Sequence, residues 1–258
     1  MTTLGQPVWV DFGSTDFAAS KAFYEQLFGW ELTDSGEEMG HYHMITAGGD
    51  LVAGGMDVTG MTCPAGDQIP SSWSVFLGTD DIDATFARAL GAGATEVMAP
   101  TDAGGAGRHA VLLDPTGAAV GLWQGAEIEG FVFSGKPGTP AWFELMTSDY
   151  EVALEFYSTV FEVTMVPMGM DAAEYATAGP AEEASFGIGG GAGGNGPEAG
   201  WRAYFVVEQC DATLDRVREL GGTVLDGPDD SPFGRLAAVA DPPGASFMVI
   251  SPSEAAGA

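Results

Sequence analysis

At 258 residues, with 45% hydrophobic and 10% aromatic side chains, the chain can bury one large or two ordinary cores and lacks a disordered composition. Eight Lys and Arg against 37 Asp and Glu give a formal charge of −29, which repels phosphate backbones and anionic lipid; two cysteines, Cys63 and Cys210, make neither a disulfide scaffold nor a paired metal motif. With no apolar run of about 18 residues and no basic leader, the expectation is a soluble cytoplasmic protein with no nucleic-acid or membrane partner.

The first strand is expected at "PVWVDF", Pro7 to Phe12. Strand side chains alternate between faces, so Val8, Val10 and Phe12 form an apolar face while Trp9 and Asp11 share the other. Asp16 then suits a helix N-cap, Ala19, Phe23 and Leu27 recur at helical spacing, and Gly29 suits the residue that ends the helix. Strands follow at "WELT", "HYHMITA" and "LVAGGMDV". Beyond the loop "MTCPAGDQIPSS" the order returns: strand "WSVFLG", a helix from Asp81 to Leu90 closed by Gly91, and strands near "TEVMA", "HAVLLD" and "AAVGLWQ".

The chain then starts again. "PAWFEL", Pro140 to Leu145, repeats the first strand, with Trp142 and Glu144 on one face. Asp16, Phe23, Tyr24 and Phe28 recur as Asp149, Phe156, Tyr157 and Phe161, and "GRHAVLLDPTGAA" answers "GRLAAVADPPGAS". The fold expected is α+β: four tandem βαβββ modules in two domains, residues 1–129 and 140–258, joined by a linker over 130–139. "GIGGGAGGNGPEAG", Gly187 to Gly200, lacks the GK[ST] ending of a phosphate loop and reads as a loop or linker.

The motifs "TDFAASKAFYEQLFGW" and "SDYEVALEFYSTVF", with the tails "DPTGAAVGLWQ" and "DPPGASFMVI", resemble the vicinal-oxygen-chelate superfamily of glyoxalase I, bleomycin-binding proteins and extradiol dioxygenases, in its actinobacterial two-domain branch. That resemblance implies glyoxalase/bleomycin-resistance-type domains with open, cup-shaped mixed sheets whose inward strand face lines a cavity. It also implies a divalent metal held by His, Gln or Glu at equivalent strand positions. Those positions here fall at Trp9 and Trp142, near Ser74 and Arg202, near Gly121 and Met248, and within "VAGGM" and "SFGIG", so the usual ligand set is missing. No cofactor is therefore expected. His41 and His43, two apart on an expected strand, with Asp11 as third ligand, keep a metal such as nickel or zinc as the alternative.

The resemblance places the Trp and acid pairs on the cup-lining face, where an indole can stack on a flat ligand while a carboxylate accepts hydrogen bonds. By alternation Ser74 and Phe76 share a face, as do Arg202 and Tyr204, and Trp123 shares one with Gly121. The candidate ligand-binding residues are thus Trp9, Asp11, Ser74, Phe76, Trp123, Trp142, Glu144, Arg202 and Tyr204. Arg202 would meet an acidic ligand group or pair with Glu144, whereas Asp11 or Glu144 would meet an amine. Arg108 and Arg235 read as ties within the hairpins that end in Asp114 and Asp241.

The function expected is metal-independent binding of a small aromatic or polycyclic molecule, cationic if the acidic surface assists, in antibiotic sequestration or biosynthesis. Two alternatives stand beside it. One is a glyoxalase-type lyase or isomerase, or a hydroxylase-like enzyme, with Asp11 or Glu144 as base and Arg202 polarising an oxygen. The other is a stress-associated interaction protein with vestigial cups. Either a monomer or a homodimer fits.

Overall fold

The computed structural model describes residues 4–63, 66–169, 174–191 and 199–252. The first module comprises β1 (Pro7–Ser14), α1 (Phe17–Phe28), β2 (Glu31–Asp34), β3 (His43–Ala47) and β4 (Asp50–Asp57). The second has β5 (Ser72–Gly78), α2 (Ile82–Gly91), β6 (Thr95–Asp102), β7 (Gly107–Leu113) and β8 (Ala119–Gly125). The third has β9 (Pro140–Met146), α3 (Tyr150–Phe161), β10 (Met165–Pro167), β11 (Tyr175–Ala178) and β12 (Gly187–Gly189). The fourth has β13 (Gly200–Val206), α4 (Cys210–Glu219), β14 (Thr223–Ser231), β15 (Gly234–Ala240) and β16 (Ser246–Pro252).

Two open, mixed sheets of eight strands result, in the orders β2-β3-β4-β1-β5-β8-β7-β6 and β10-β11-β12-β9-β13-β16-β15-β14. In every module the first strand lies parallel to the fourth, and the remaining pairs are antiparallel. This is the α+β arrangement of four βαβββ modules expected from the repeats.

The helix ends show how the local sequence sets the elements. The Asp16 carboxylate accepts from the Ala19 N–H at 3.1 Å and that of Asp81 from Ala84 at 3.0 Å, satisfying orphan donors of the first turn. Gly29 ends α1 in the left-handed region at φ 68°, where a side chain would be strained. The repeat puts Glu162 at that place after α3, with φ 55°. Arg88 of α2 meets this irregular end, donating from Nε to the Val160 carbonyl at 2.7 Å. Two expectations need correction: α2 runs through Gly91 to a cap at Ala92, and Gly187–Gly189 of the glycine-rich segment forms β12, because pairing with β9 and β11 satisfies its backbone. Residues 192–198 of that segment, and 64–65 of the earlier loop, lie outside the described residues.

By compactness the chain divides into two units that interleave its halves. One comprises Met1–Trp9, Ser74–Gly130 and Phe143–Arg202; the other Val10–Trp73, Phe131–Trp142 and Ala203–Ala258. The first unit packs Phe156, Tyr157, Phe161, Phe186 and Trp201 around α3. The second packs Phe12, Tyr24, Trp30, Trp73, Phe205 and Phe247 around α1, with ring centroids such as Phe12–Tyr24 4.8 Å apart.

Each unit buries one hydrogen-bonded chain of the same three residue types. In the first, Trp201 Nε1 donates to the Tyr157 hydroxyl at 2.9 Å, which donates to Asp114 Oδ2 at 2.9 Å. In the second, Trp73 Nε1 donates to the Tyr24 hydroxyl at 2.9 Å, Tyr24 is bonded to Asp241, and Ser20 donates to Asp241 Oδ2 at 2.6 Å. Asp114 and Asp241 are the turn residues expected from sequence, since Oδ1 of each accepts backbone N–H groups of its own turn. Each carboxylate also bonds a tyrosine from the other repeat, Tyr157 at Asp114 Oδ2 and Tyr24 at Asp241.

Burial holds the Asp241 pKa above the ordinary carboxylate range, although hydrogen bonds from Ser20, the turn N–H groups and Tyr24 pull it back. The folded protein therefore binds that proton more tightly than the unfolded chain. Its contribution is fully present below the unfolded value of about 3.9 and is lost as pH rises through the raised folded value. Urea midpoints of Asp241→Asn and the parent, compared across that window, are expected to show the parent losing stability relative to the variant as pH rises. Parallel curves would contradict the assignment.

Candidate functional site

In the first module Asp11 stands beside Gly54 in the parallel β1–β4 register. The Tyr42 ring lies on Gly54, where any Cβ would collide with its hydroxyl, and that hydroxyl donates to Asp11 Oδ2 at 3.1 Å. The third module repeats the device. Glu144 stands beside Gly187, the Tyr175 ring lies on that glycine, and its hydroxyl donates to Glu144 Oε2 at 3.3 Å. Glu144 is 8% exposed, and Arg202 Nη1 approaches its Oε1 at 3.8 Å, so the ion pair weighed from sequence forms, at long range.

Neither tyrosine was singled out by pattern. Each lies 31 residues beyond its acid, and the two acids, two tyrosines and two glycines are related by the interval that carries Asp16 to Asp149. That interval is the signal that could have found them.

The second module presents rings. Trp9 stacks on Trp123 with centroids 6.4 Å apart and planes 24° apart, both indoles being buried, and Trp123 Nε1 donates to the Ile128 carbonyl at 2.9 Å. Phe76 is buried with its ring against Gly121, its register partner on β8, and Ser74 is half-buried on β5. Half-buried Trp142 of the third module packs against a buried cluster of Tyr204, Met248 and Ile250 in the fourth. Tyr204 and Met248 are register partners there.

The His41 and His43 expectation needs correction, because β3 begins only at His43. His41 precedes it in the left-handed region at φ 57°, and its exposed Nδ1 lies 2.9 Å from Asp34 Oδ2, an interaction that holds the Asp34 carboxyl below its ordinary range. The His43 ring lies 4.5 Å from that of Phe17. Asp11 is bonded to Tyr42, so the three supposed ligands serve different partners. Among the described residues no group of three or more His, Cys, Asp or Glu could hold a metal ion.

Arg108 and Arg235 are the ties expected, and they also reach the helices. Arg108 bonds Asp83 of α2 at 2.6 Å and Asp102 of β6 at 3.3 Å; Arg235 bonds Asp211 of α4 at 2.8 Å and Asp230 of β14 at 2.9 Å. No helix among the described residues is long and apolar enough to cross a membrane.

A family model described as Glyoxalase/Bleomycin resistance protein/Dioxygenase superfamily matches residues 6–122 and 139–249. The chain is 37% identical over 263 residues to "Anthracycline biosynthesis protein DnrV" of Streptomyces peucetius, covering 95% of this chain and 93% of the relative. It is 36% identical over 252 residues to "Putative glyoxylase CFP32" of Mycobacterium tuberculosis, covering 96% and 95%. The Mn(II)-bound glyoxalase from Novosphingobium aromaticivorans shares the fold, with a TM-score of 0.66 and 17% identity over 97% of this chain and 83% of that one.

Proposed function

The chain belongs to the Glyoxalase/Bleomycin resistance protein/Dioxygenase superfamily, and from that premise we propose that it binds a flat, polycyclic aromatic natural product without a metal, as a sequestering or accessory protein. The observation that carries this reading is the pair of stacked indoles, Trp9 and Trp123, on strands whose inward face lines the cavity in the family. Trp9 is 5% and Trp123 6% exposed, so a planar ligand of several fused rings reaches this stack by displacing the side chains that cover it, and then gains dispersion and quadrupole contacts. The anthracycline relative, similar over almost its whole length, supports that ligand class.

The side chains do not fit the metal that the family implies. Indoles stand at positions 9 and 142, a guanidinium at 202, and a glycine covered by a tyrosine ring lies beside each strand acid. An indole has no available lone pair, and a fixed positive charge opposes a cation. Tyr42 and Arg202 with Tyr175 engage the carboxylates of Asp11 and Glu144, which suits polar anchoring better than general-base chemistry.

The test is a tryptophan-fluorescence titration with quinizarin, a neutral dihydroxyanthraquinone, in the presence of EDTA. Saturable quenching at stoichiometric ratio is expected. Absence of saturation would sink the reading, as would turnover of a methylglyoxal adduct that chelator abolishes and nickel or zinc restores.

A further inference from the structure

His109 has no part in the devices described so far. It lies on β7 opposite Trp123 of β8 and opposite Thr101 of β6. Residues facing each other across an antiparallel pair project from the same side of the sheet with Cβ atoms about 5 Å apart. The imidazole therefore stands on the same side of the second module's sheet as the Trp123 indole, which stacks on Trp9. Its even-numbered neighbours Ala110 and Leu112 are buried on the opposite side.

The ring is half-buried, and among the described residues no group hydrogen-bonds to it. The Thr101 hydroxyl is turned to the Ala99 carbonyl at 2.8 Å. The charged residues next in register, Arg108 and Asp102, alternate to the other side, where Arg108 holds Asp83 and Asp102. Past the end of β8, Glu127 lies against Gly105 and Glu129 follows it. Its ring nitrogens are not among the buried side-chain atoms left without a partner, so they reach solvent, where a ligand hydroxyl can take the place of water.

We propose that His109 is a ligand-binding residue, its imidazole accepting a hydrogen bond from a phenolic hydroxyl of an aromatic ligand laid against Trp9 and Trp123. This rests on the reading that the protein binds a polycyclic aromatic and narrows the class to hydroxylated ones. Burial lowers the His109 pKa below its ordinary value, so at neutral pH the ring is uncharged and keeps an acceptor nitrogen. Protonation on acidification turns both nitrogens into donors and removes that acceptor.

The experiment compares 1-hydroxypyrene, whose hydroxyl has no internal acceptor, with 1-methoxypyrene, which keeps the rings and lacks the donor, by fluorescence quenching of the full chain at about pH 7.5 and about pH 5. 1-Hydroxypyrene is expected to bind about tenfold more tightly than the ether at the higher pH, the size of one hydrogen bond. The preference should shrink as pH falls, vanish in His109→Phe, and persist in His109→Gln, which retains an acceptor. In the NMR spectrum, 1-hydroxypyrene should move the His109 ring titration to still lower pH, a readout independent of affinity. Equal binding of the two dyes, or an undiminished preference in His109→Phe, would overturn the role of His109 while leaving the binding reading intact. Quenching by neither dye would overturn both.

Discussion

Asp114→Ala is expected to lower the melting temperature by roughly 10 °C, the largest stability effect we assign to one side chain. Asp114 is 3% exposed, and its Oδ1 accepts from the Thr116 N–H at 2.8 Å, the Thr116 hydroxyl at 2.7 Å and the Ala118 N–H at 3.0 Å. Oδ2 accepts from Tyr157, a fully buried residue whose hydroxyl has no water to turn to. Truncation leaves these donors unfilled at about 1–3 kcal/mol each where buried, so about 3–5 kcal/mol in total is expected. Burial first, and the Asp114 charge second, push the Tyr157 pKa well up, so the hydroxyl keeps the proton it donates. Circular-dichroism melts of the variant and of Tyr157→Phe provide the measurement. A double-mutant cycle should give a coupling of about 1–3 kcal/mol, since the two groups share one bond. A melting temperature within about 2 °C of the parent would show that the turn and the tyrosine are held by other contacts.

Trp123→Leu is expected to weaken quinizarin binding ten- to a hundredfold, the largest effect on recognition. One aromatic platform under a flat ring system contributes about 1–3 kcal/mol, and leucine keeps apolar bulk without a stacking face. Trp123 also donates to Ile128 and supports Trp9, so part of any loss could come from a disturbed sheet. Trp123→Phe separates the two: it loses the bond to Ile128 and retains a ring. Binding near the parent level in Trp123→Phe, with loss in Trp123→Leu, assigns the effect to stacking. Unchanged affinity in Trp123→Leu, measured by quenching of the remaining indoles or by calorimetry, would remove the ligand from this face.

Much of the architecture was legible without coordinates because it is written in local periodicity. Alternation along "PVWVDF" separates Trp9 and Asp11 from Val10 and Phe12, and Phe12 is fully buried while Asp11 stands on the other face beside Gly54. Asp16 and Gly29 mark the ends of α1 through hydrogen bonding and backbone conformation that depend on a few neighbouring residues. The repetition of both patterns specifies four modules and the family they resemble. Tertiary structure decided which distant groups meet. Tyr42 reaches Asp11, and Tyr175 reaches Glu144, only because a glycine on the adjacent parallel strand leaves room for a ring. Asp114 finds Tyr157 from the other repeat, which no turn motif encodes. His41 leaves the strand expected for it through one left-handed residue, and His109 gains its place opposite Trp123 from the β7–β8 register. Side-chain spacing along a chain prescribes faces, whereas partners depend on register and packing between segments far apart in sequence.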